Sequence, residues 1–586
     1  MILCSLTCIF SLFGNNRSIE KWHKKELVFE SEKGYDNPLY EVDFFGAEFI
    51  SPSGETFLVR GFWDGGNSWK IRFMPNQTGR WKYKVICSDE TNSALHGKEG
   101  TFRSVRNRDK HEIYRRGSLK HPEGTYYLSY DDGVPFFYVG CTAWNGGLLS
   151  TADEWEAYLT DRKKNGYSVI QLVTTQWRGA PVNAENEKAF TGIDTIRINP
   201  TFFKRMDERI DRVNEHGLVA APIMLWALGD ISPGVFLPEK PAIKLAEYIL
   251  ARYDGNHVVW NLGGDGNYTG NNENRWKNIG REVFGTNYHR NPVTLHPRGF
   301  SWYGAGFNEE TWLDMISYQT GHSNSDRNVR WKTQGPVASE WKKLIARPII
   351  DTEPTYENGH NSKEVRNSAY WSIFATPVAG ISYGSHTIWP WLRVGDVPIN
   401  HGKKEPSDIT WQDALSHPGS IQIGYLSGFF RKLEWWKLFP ANELLKEQPG
   451  TDAPQQWQSV LATHDRKTIL VYLPSKDATT LVNAHEKRYS VQWFEPKSNT
   501  YLKPEMAPVK KEFYLENPFD SDAIVILQSS QLSAQPVVER WRMHEITLKG
   551  TSKGNPFTET SLDGYFHQGP DTLRVRGFYD GDGLYR

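Results

Sequence analysis

Two acidic residues stand where chemistry could be done. Asp265 ends the apolar run Val258-Val259-Trp260-Asn261-Leu262 and is wrapped in Gly263, Gly264 and Gly266. Glu353 closes Pro348-Ile349-Ile350-Asp351-Thr352 and precedes Pro354. Glycines at the end of a buried strand cost backbone entropy and add no packing. Judged locally, the Asp265 segment is a tight turn in which the carboxylate bonds its own backbone. Judged as a pair, the two residues suit glycoside hydrolysis. That reaction needs one acid to protonate the leaving oxygen and one carboxylate to attack or to activate water. Asp351 would share a strand face with Glu353, two residues on. Glu357 and Asp230 are weaker alternatives. Cys141 could be a nucleophilic thiol, but a buried neutral cysteine is the preferred reading.

Further polar and aromatic residues follow other apolar runs: Trp144, Gln176, Trp177, His296, Gln319, His322, Tyr356, His386 and Trp389. Each alone reads as packing or support. As a set they would suit a sugar pocket, with rings to stack and amides and imidazoles to bind hydroxyls; about half are expected to touch substrate.

Eight short apolar runs must position these groups: 136–140, 169–173, 219–225, 258–262, 293–296, 315–319, 348–351 and 380–384. Amphipathic stretches fill the gaps, and Thr151 with Glu154 forms a capping-box pattern at the start of the first. Buried strands alternating with helices imply a parallel sheet, and eight such units predict a closed (β/α)8 barrel over 114–436. Barrel enzymes act at the C-terminal ends of their strands, which puts Asp265 after the fourth and Glu353 after the seventh.

The flanks have another rhythm. Residues 17–113 alternate at period two between Gly, Pro and Asn turns, as an antiparallel β-sandwich does. Residues 437–530 return to that pattern. Residues 531–586 repeat the first sandwich: Trp22 matches Trp541, Asn37-Pro38 matches Asn555-Pro556, and Val59-Arg60-Gly61-Phe62 matches Val575-Arg576-Gly577-Phe578. The copy stops before the closing strands. Half a sandwich is expected to pack poorly or pair abnormally, and the chain to be a fragment of a longer polypeptide. The predicted fold class is therefore multidomain: an α/β TIM barrel flanked by β-sandwiches.

Composition narrows the function. The chain has 586 residues and a formal net charge of −1, which argues against a molecule-wide polyanion-binding surface and against a nucleic-acid partner. Aromatic content is high, with 23 Trp, 27 Tyr and 29 Phe, as in sugar sites and in sandwich cores. Residues 1–16 hold Cys4 and Cys8 in an apolar run too short to span a bilayer. It reads as a signal peptide, so the protein is expected to be exported to the periplasm, the cell surface or the medium. Cys87 and Cys141 fall in different domains, so no structural disulfide is expected. No zinc spacing, other metal site, cofactor motif or transmembrane segment is read, and oligomeric state is left open.

The ordered motifs VPFFYVGCTAWN, NGYSVIQLVTTQW, WNLGGDGN, LHPRG, WLDMISYQTGH, DTEPTYENGH and GISYGSHTIWPW resemble the signatures of the apiosidase-like glycoside hydrolases. The resemblance covers roughly residues 115–435. It implies a (β/α)8 glycosidase without cofactor, with Asp265 of the GGD motif as acid/base and Glu353 of the D-x-E-P motif as nucleophile. The first sandwich resembles the domain commonly found before such barrels, and the 437–530 sandwich resembles a type labelled collagen-binding. One position departs: the family's Gly-Asp-Thr-Ala-Trp is here Gly140-Cys141-Thr142-Ala143-Trp144. Loss of that Asp is expected to remove a polar contact to sugar. The expected substrate is a complex plant or algal polysaccharide or its oligosaccharides, cleaved with retention and by exo action. The alternatives are endo action and a non-catalytic carbohydrate-binding or adhesive protein using its sandwiches.

Overall fold

The structure is a computed structural model that describes residues 18–285, 291–399, 405–482, 488–529, 545–552, 554–568 and 571–586. The signal-like run with Cys4 and Cys8 lies outside these residues, as does Trp541. Residues 1–529 and 530–586 form two compact units.

The first 88 described residues of the larger unit fold into two facing sheets. One orders Ser18–Glu20, Glu99–Val105, Gly79–Cys87, Phe45–Ile50 and Thr56–Arg60; the other orders Lys25–Glu30, Ser68–Phe73 and Phe62–Gly65. Phe45, Phe49, Trp69, Phe73, Trp81 and Phe102 fill the space between them. The sandwich differs from the all-antiparallel expectation at one edge, where Ser18–Glu20 runs parallel to 103–105.

Eight parallel strands make the central domain: β1 (Tyr138–Thr142), β2 (Val169–Val173), β3 (Val219–Trp226), β4 (Trp260–Gly264), β5 (Val293–Thr294), β6 (Ile316–Gln319), β7 (Ile349–Glu353) and β8 (Gly380–Tyr383). Helices α1 (Ala152–Lys164), α2 (Pro200–Glu215), α3 (Glu239–Tyr253), α4 (Glu273–Phe284), α5 (Asp326–Gln334), α6 (Ser362–Ala375) and α7 (Pro418–Phe430) alternate with or follow them. α1 begins at the expected capping box, with Thr151 accepting from the Glu154 amide and Glu154 from the Thr151 amide.

Pairing differs from one continuous ladder. A six-stranded sheet orders β5-β4-β3-β2-β1-β8, and β6 pairs with β7 separately. The first strand does pair with the eighth, at 138–141 against 380–383. At the two seams, backbone hydrogen bonds persist from Met315 to Val293 and from Glu357 to Gly384. Pro292 and Pro297 bracket β5 and supply no amide donors, which limits it to two residues. A small sheet of 119–120, 128–130 and 135–136 lies with the strand starts, where Leu119, Leu128, Phe136, Val169, Val219 and Ile350 share one apolar cluster. That end is plugged, which leaves the C-terminal strand ends for chemistry.

After α7 a seven-stranded antiparallel sheet (439–529) and the pair Ala478–Val482 with Glu512–Glu516 enclose another core. This sandwich is anchored on α6 by a buried ion pair, in which Arg366 Nε donates to Asp522 Oδ2 at 2.8 Å. Cys87 and Cys141 are both buried and free.

The smaller unit repeats the pairing of the first sandwich. Asp563–Gln568 pairs with Asp571–Arg576, and Tyr579–Gly581, Leu584–Tyr585 and Leu548–Lys549 form a second small sheet. The strands pair normally, contrary to one form of the expectation, but their faces stay open: Phe566, Leu573 and Phe578 are 47%, 64% and 58% exposed.

Candidate active site

Asp265 follows β4 directly and sits in the left-handed region, φ +52°. Aspartate is among the few side chains that tolerate this region. The glycines around it answer to packing. A Cβ on Gly264 would come within 2.6 Å of Trp226, and one on Gly263 within 2.5 Å of the Tyr268 hydroxyl. Register brings Trp226 opposite Gly264 across the β3–β4 ladder. The local turn reading therefore misses why two glycines are required: two aromatic groups occupy the space beside the carboxylate.

Glu353 is the last residue of β7. The two carboxyl groups are joined by one amide. Gln319, at the end of β6, donates from Nε2 to Asp265 Oδ1 (3.1 Å), to Glu353 Oε2 (2.9 Å) and to the Pro297 carbonyl (3.2 Å). His296 Nε2 donates to Glu353 Oε2 at 2.5 Å, while its Nδ1 meets the Thr352 hydroxyl at 2.9 Å. His322 Nε2 lies 3.2 Å from Glu353 Oε1, and its Nδ1 lies 3.1 Å from the Pro354 carbonyl. Arg178 approaches the other Asp265 oxygen, Oδ2, at 3.8 Å.

These contacts set opposite charge states. Burial pushes the Asp265 carboxyl up, and ionised Glu353 adds to this; His296, Arg178 and His322 oppose, leaving it raised to about 6. Burial would also raise Glu353, but the hydrogen bonds from His296 and His322 outweigh it and hold this group below the usual carboxylate range. Burial lowers His322, but the bond to Glu353 outweighs that and raises it. Asp265 therefore keeps its proton up to about pH 6, in the range where Glu353 has already given its own up.

The rest of the rim sorts into two groups. Trp144 donates from its indole to the Tyr356 hydroxyl (3.1 Å) and sets its ring edge-on to Trp226 and His296. Trp177 and Trp226 lie 4.2 Å apart between ring centres, with Trp389 beside Trp177 at 5.8 Å. His322, Tyr356 and His386 form a second ring cluster. Gln176 stands apart. Its amide is spent on backbone, donating to the Phe190 carbonyl and accepting from the Ala189 amide, so it holds the 189–190 segment.

The rival acids also have other tasks. Glu357 accepts from the Gly419 and Ser420 amides and the Tyr383 hydroxyl, which secures the start of α7. Asp230 is exposed. Asp351 accepts from Thr320, from Ser372 and from the backbone amide of Glu353 itself, so it orients β7's end.

Cys141 corrects the expectation attached to it. It is fully buried against the helical layer, beside Tyr158 and Arg162 of α1, and burial pushes its thiol up. The barrel interior belongs to its neighbours: a Cβ on Gly140 would meet Ser382 and Gln171. Alternation along the strand turns position 141 towards the helical layer and away from the barrel interior. Two site residues escaped the sequence reading. Trp226 lies one residue past the run read as the third strand, and Arg178 directly follows Trp177. Among the described residues no three His, Cys, Asp or Glu side chains gather as a metal site.

Solved structures share this fold. A glycoside hydrolase family 5 protein from Bacteroides vulgatus ATCC 8482 is 22% identical with a TM-score of 0.62, over 73% of this chain and 96% of that one. A second structure, a glycoside hydrolase, is 22% identical with a TM-score of 0.61, over 71% of this chain and 97% of its own. No curated protein is similar enough to count as a match. The shared fold is a barrel-type domain with sheet-rich domains beside it. The family model for the apiosidase-like catalytic domain matches residues 122–437, and the chain belongs to that family. A domain of unknown function (DUF5060) matches residues 18–88 and again 537–586, the two copies of the repeat.

Proposed function

We propose that this glycosidase is retaining, with Asp265 as general acid/base and Glu353 as nucleophile. One observation carries the reading. Gln319 Nε2 contacts an oxygen of each carboxyl group, so these oxygens lie no more than about 6 Å apart, which favours the short spacing of retaining enzymes over the wider one of inverting enzymes. Asp265 gives its proton to the glycosidic oxygen as that bond breaks. Glu353 attacks the anomeric carbon, forming an ester. The departure of negative charge from Glu353 removes the repulsion that held the proton on Asp265. Asp265 then takes a proton from water, the water oxygen replaces the ester, and both groups return to their starting states.

The eight strands are read as one closed barrel. The β8–β1 ladder and the hydrogen bonds at both seams support this. Trp177, Trp226 and Trp389, with His322, Tyr356 and His386 as a second cluster, would grip a single sugar, which favours exo action on oligosaccharides of a complex plant or algal polysaccharide. Export is inferred from the apolar residues 1–16; no described helix is long and apolar enough to cross a membrane. The test is reducing-sugar release from a glycan panel by wild type and Glu353→Gln. Wild type should release sugar from at least one glycan and the variant from none. Equal release by both would remove Glu353 from the chemistry.

A further inference from the structure

Lys332 on α5 is, among the described residues, the one lysine that is fully buried. A lysine almost never gives up all contact with water unless its charge is matched. The carboxylate that acts on it is Asp351. A buried charge pair adds little stability over apolar side chains of the same volume, so stability does not account for the lysine. What it holds does.

Lys332 Nζ donates to the Ser368 hydroxyl on α6 and to Asn324 Oδ1 at 3.3 Å. Both partners receive Thr355. Its amide donates to Ser368 Oγ (3.3 Å) and its hydroxyl to Asn324 Oδ1 (3.0 Å). On the other side of Pro354, the Glu353 amide donates to Asp351 Oδ1 (3.3 Å). The segment Glu353-Pro354-Thr355 is thus pinned at both ends, by Lys332 through two intermediaries and by the carboxylate that balances it. Pro354 has no amide of its own to hold it. Its carbonyl accepts from His322 Nδ1 (3.1 Å), which leaves His322 Nε2 facing Glu353 Oε1 at 3.2 Å. The place of the imidazole therefore depends on where Pro354 is held.

We propose that Lys332 is a positioning residue for His322 and, through it, for Glu353: it fixes the 353–355 segment so that the Pro354 carbonyl orients the imidazole towards the nucleophile. Lys332 acts through Ser368, Asn324 and Thr355, not on the reacting atoms. The inference rests on the glycosidase reading above in taking Glu353 as nucleophile, and it adds a residue that the reading does not contain.

The test uses the full chain with Lys332→Met, which removes the ammonium and keeps the length, and Ser368→Ala, which cuts one link and leaves the charge. In histidine-¹⁵N-labelled protein the His322 resonances, assigned by their loss in His322→Ala, report its titration without any substrate. Burial lowers His322, but the bonds to Glu353 and to the Pro354 carbonyl outweigh it, so it titrates above its ordinary value. Lys332→Met should lower that titration point, and Ser368→Ala should lower it by less. Loss of a nearby cation alone would raise it, so the sign separates positioning from simple electrostatics. On the glycan that wild type cleaves fastest in the panel, Lys332→Met should lose about three- to tenfold in kcat with KM changed less than about twofold. In a His322→Ala background it should cost nothing further, because the path it acts through is gone. A His322 titration that is unmoved or raised in Lys332→Met would overturn the inference. So would an equal loss of kcat with and without His322, the mark of general loosening. If Lys332→Met does not fold, Ser368→Ala decides by the same readouts. If wild type cleaved no glycan, the glycosidase reading would fail by itself, and the His322 titration would still decide what Lys332 holds in place.

Discussion

At the end of β4, Asp265 receives one hydrogen bond from the Gln319 side-chain amide and has the Arg178 guanidinium 3.8 Å from its other oxygen. At the end of β7, Glu353 receives hydrogen bonds from Gln319 and His296 and has His322 beside its second oxygen. The two carboxyl groups are almost equally buried, 9% and 6% exposed. Burial therefore pushes both towards neutrality and cannot separate them. The count of N–H donors does. Two acids in one buried pocket are pushed in opposite directions because one strand end is ringed by imidazoles and the other by glycine and tryptophan.

The strongest way to break this comparison is to remove the ionised member. Glu353→Ala should lower kcat on every substrate by about 10⁴-fold or more. Added azide should restore turnover and yield a glycosyl azide of inverted configuration, seen by NMR. Removing the protonated member should cost less, roughly 10²- to 10⁴-fold on a natural glycoside. Asp265→Ala should spare the first step on dinitrophenyl glycosides, whose leaving group needs no proton. Stopped-flow traces should then show a burst followed by slow hydrolysis.

Smaller changes sharpen the contrast. In wild type kcat/KM should fall as pH rises through about 6, where Asp265 loses its proton. The acid limb should lie far lower, because Glu353 is held ionised. His322→Ala removes one stabilising neighbour of that charge. It should cut kcat/KM by about 10- to 100-fold and move the acid limb to higher pH, narrowing the bell. The smallest expected effect is on stability. A carboxyl whose folded pKa is raised adds stability that is complete below its ordinary value near 3.8 and lost as pH rises through about 6. Asp265→Asn keeps the shape and cannot ionise. Its melting temperature should exceed that of wild type at pH 7, by an amount worth on the order of 1 kcal/mol, and the difference should vanish below about pH 4.

Much of this was legible in the sequence because it depends on local pattern. The eight strand positions followed from apolar runs, and the α1 cap from Thr151 and Glu154. β4 was read two residues early, because Val258 makes only an isolated bridge to Ala220 while the glycines enter the ladder. What stayed hidden depends on partners far along the chain. The demand for Gly263 and Gly264 comes from Tyr268 and Trp226. The face of Cys141 hangs on a register that one residue would invert. Gln176 looked like a sugar ligand and is instead committed to the 189–190 backbone.

The two repeat copies make the same point. Counting back from Gly61 and Gly577, the ladders set Phe49 opposite Phe57 and Phe566 opposite Leu573. Phe49 is fully buried by Phe73, Tyr83 and Phe102, whereas Phe566 is 47% exposed. Similar sequence gives similar pairing, and burial depends on what else is there to cover it.

The central claim is that Glu353 attacks sugar, not water. The most direct test is ¹H NMR of the first-formed product anomer released by wild type, recorded before mutarotation. Retention of the substrate's anomeric configuration is the result expected from a glycosyl ester on Glu353. Inversion would mean that water attacks in a single step, and it would contradict the nucleophile role assigned to Glu353.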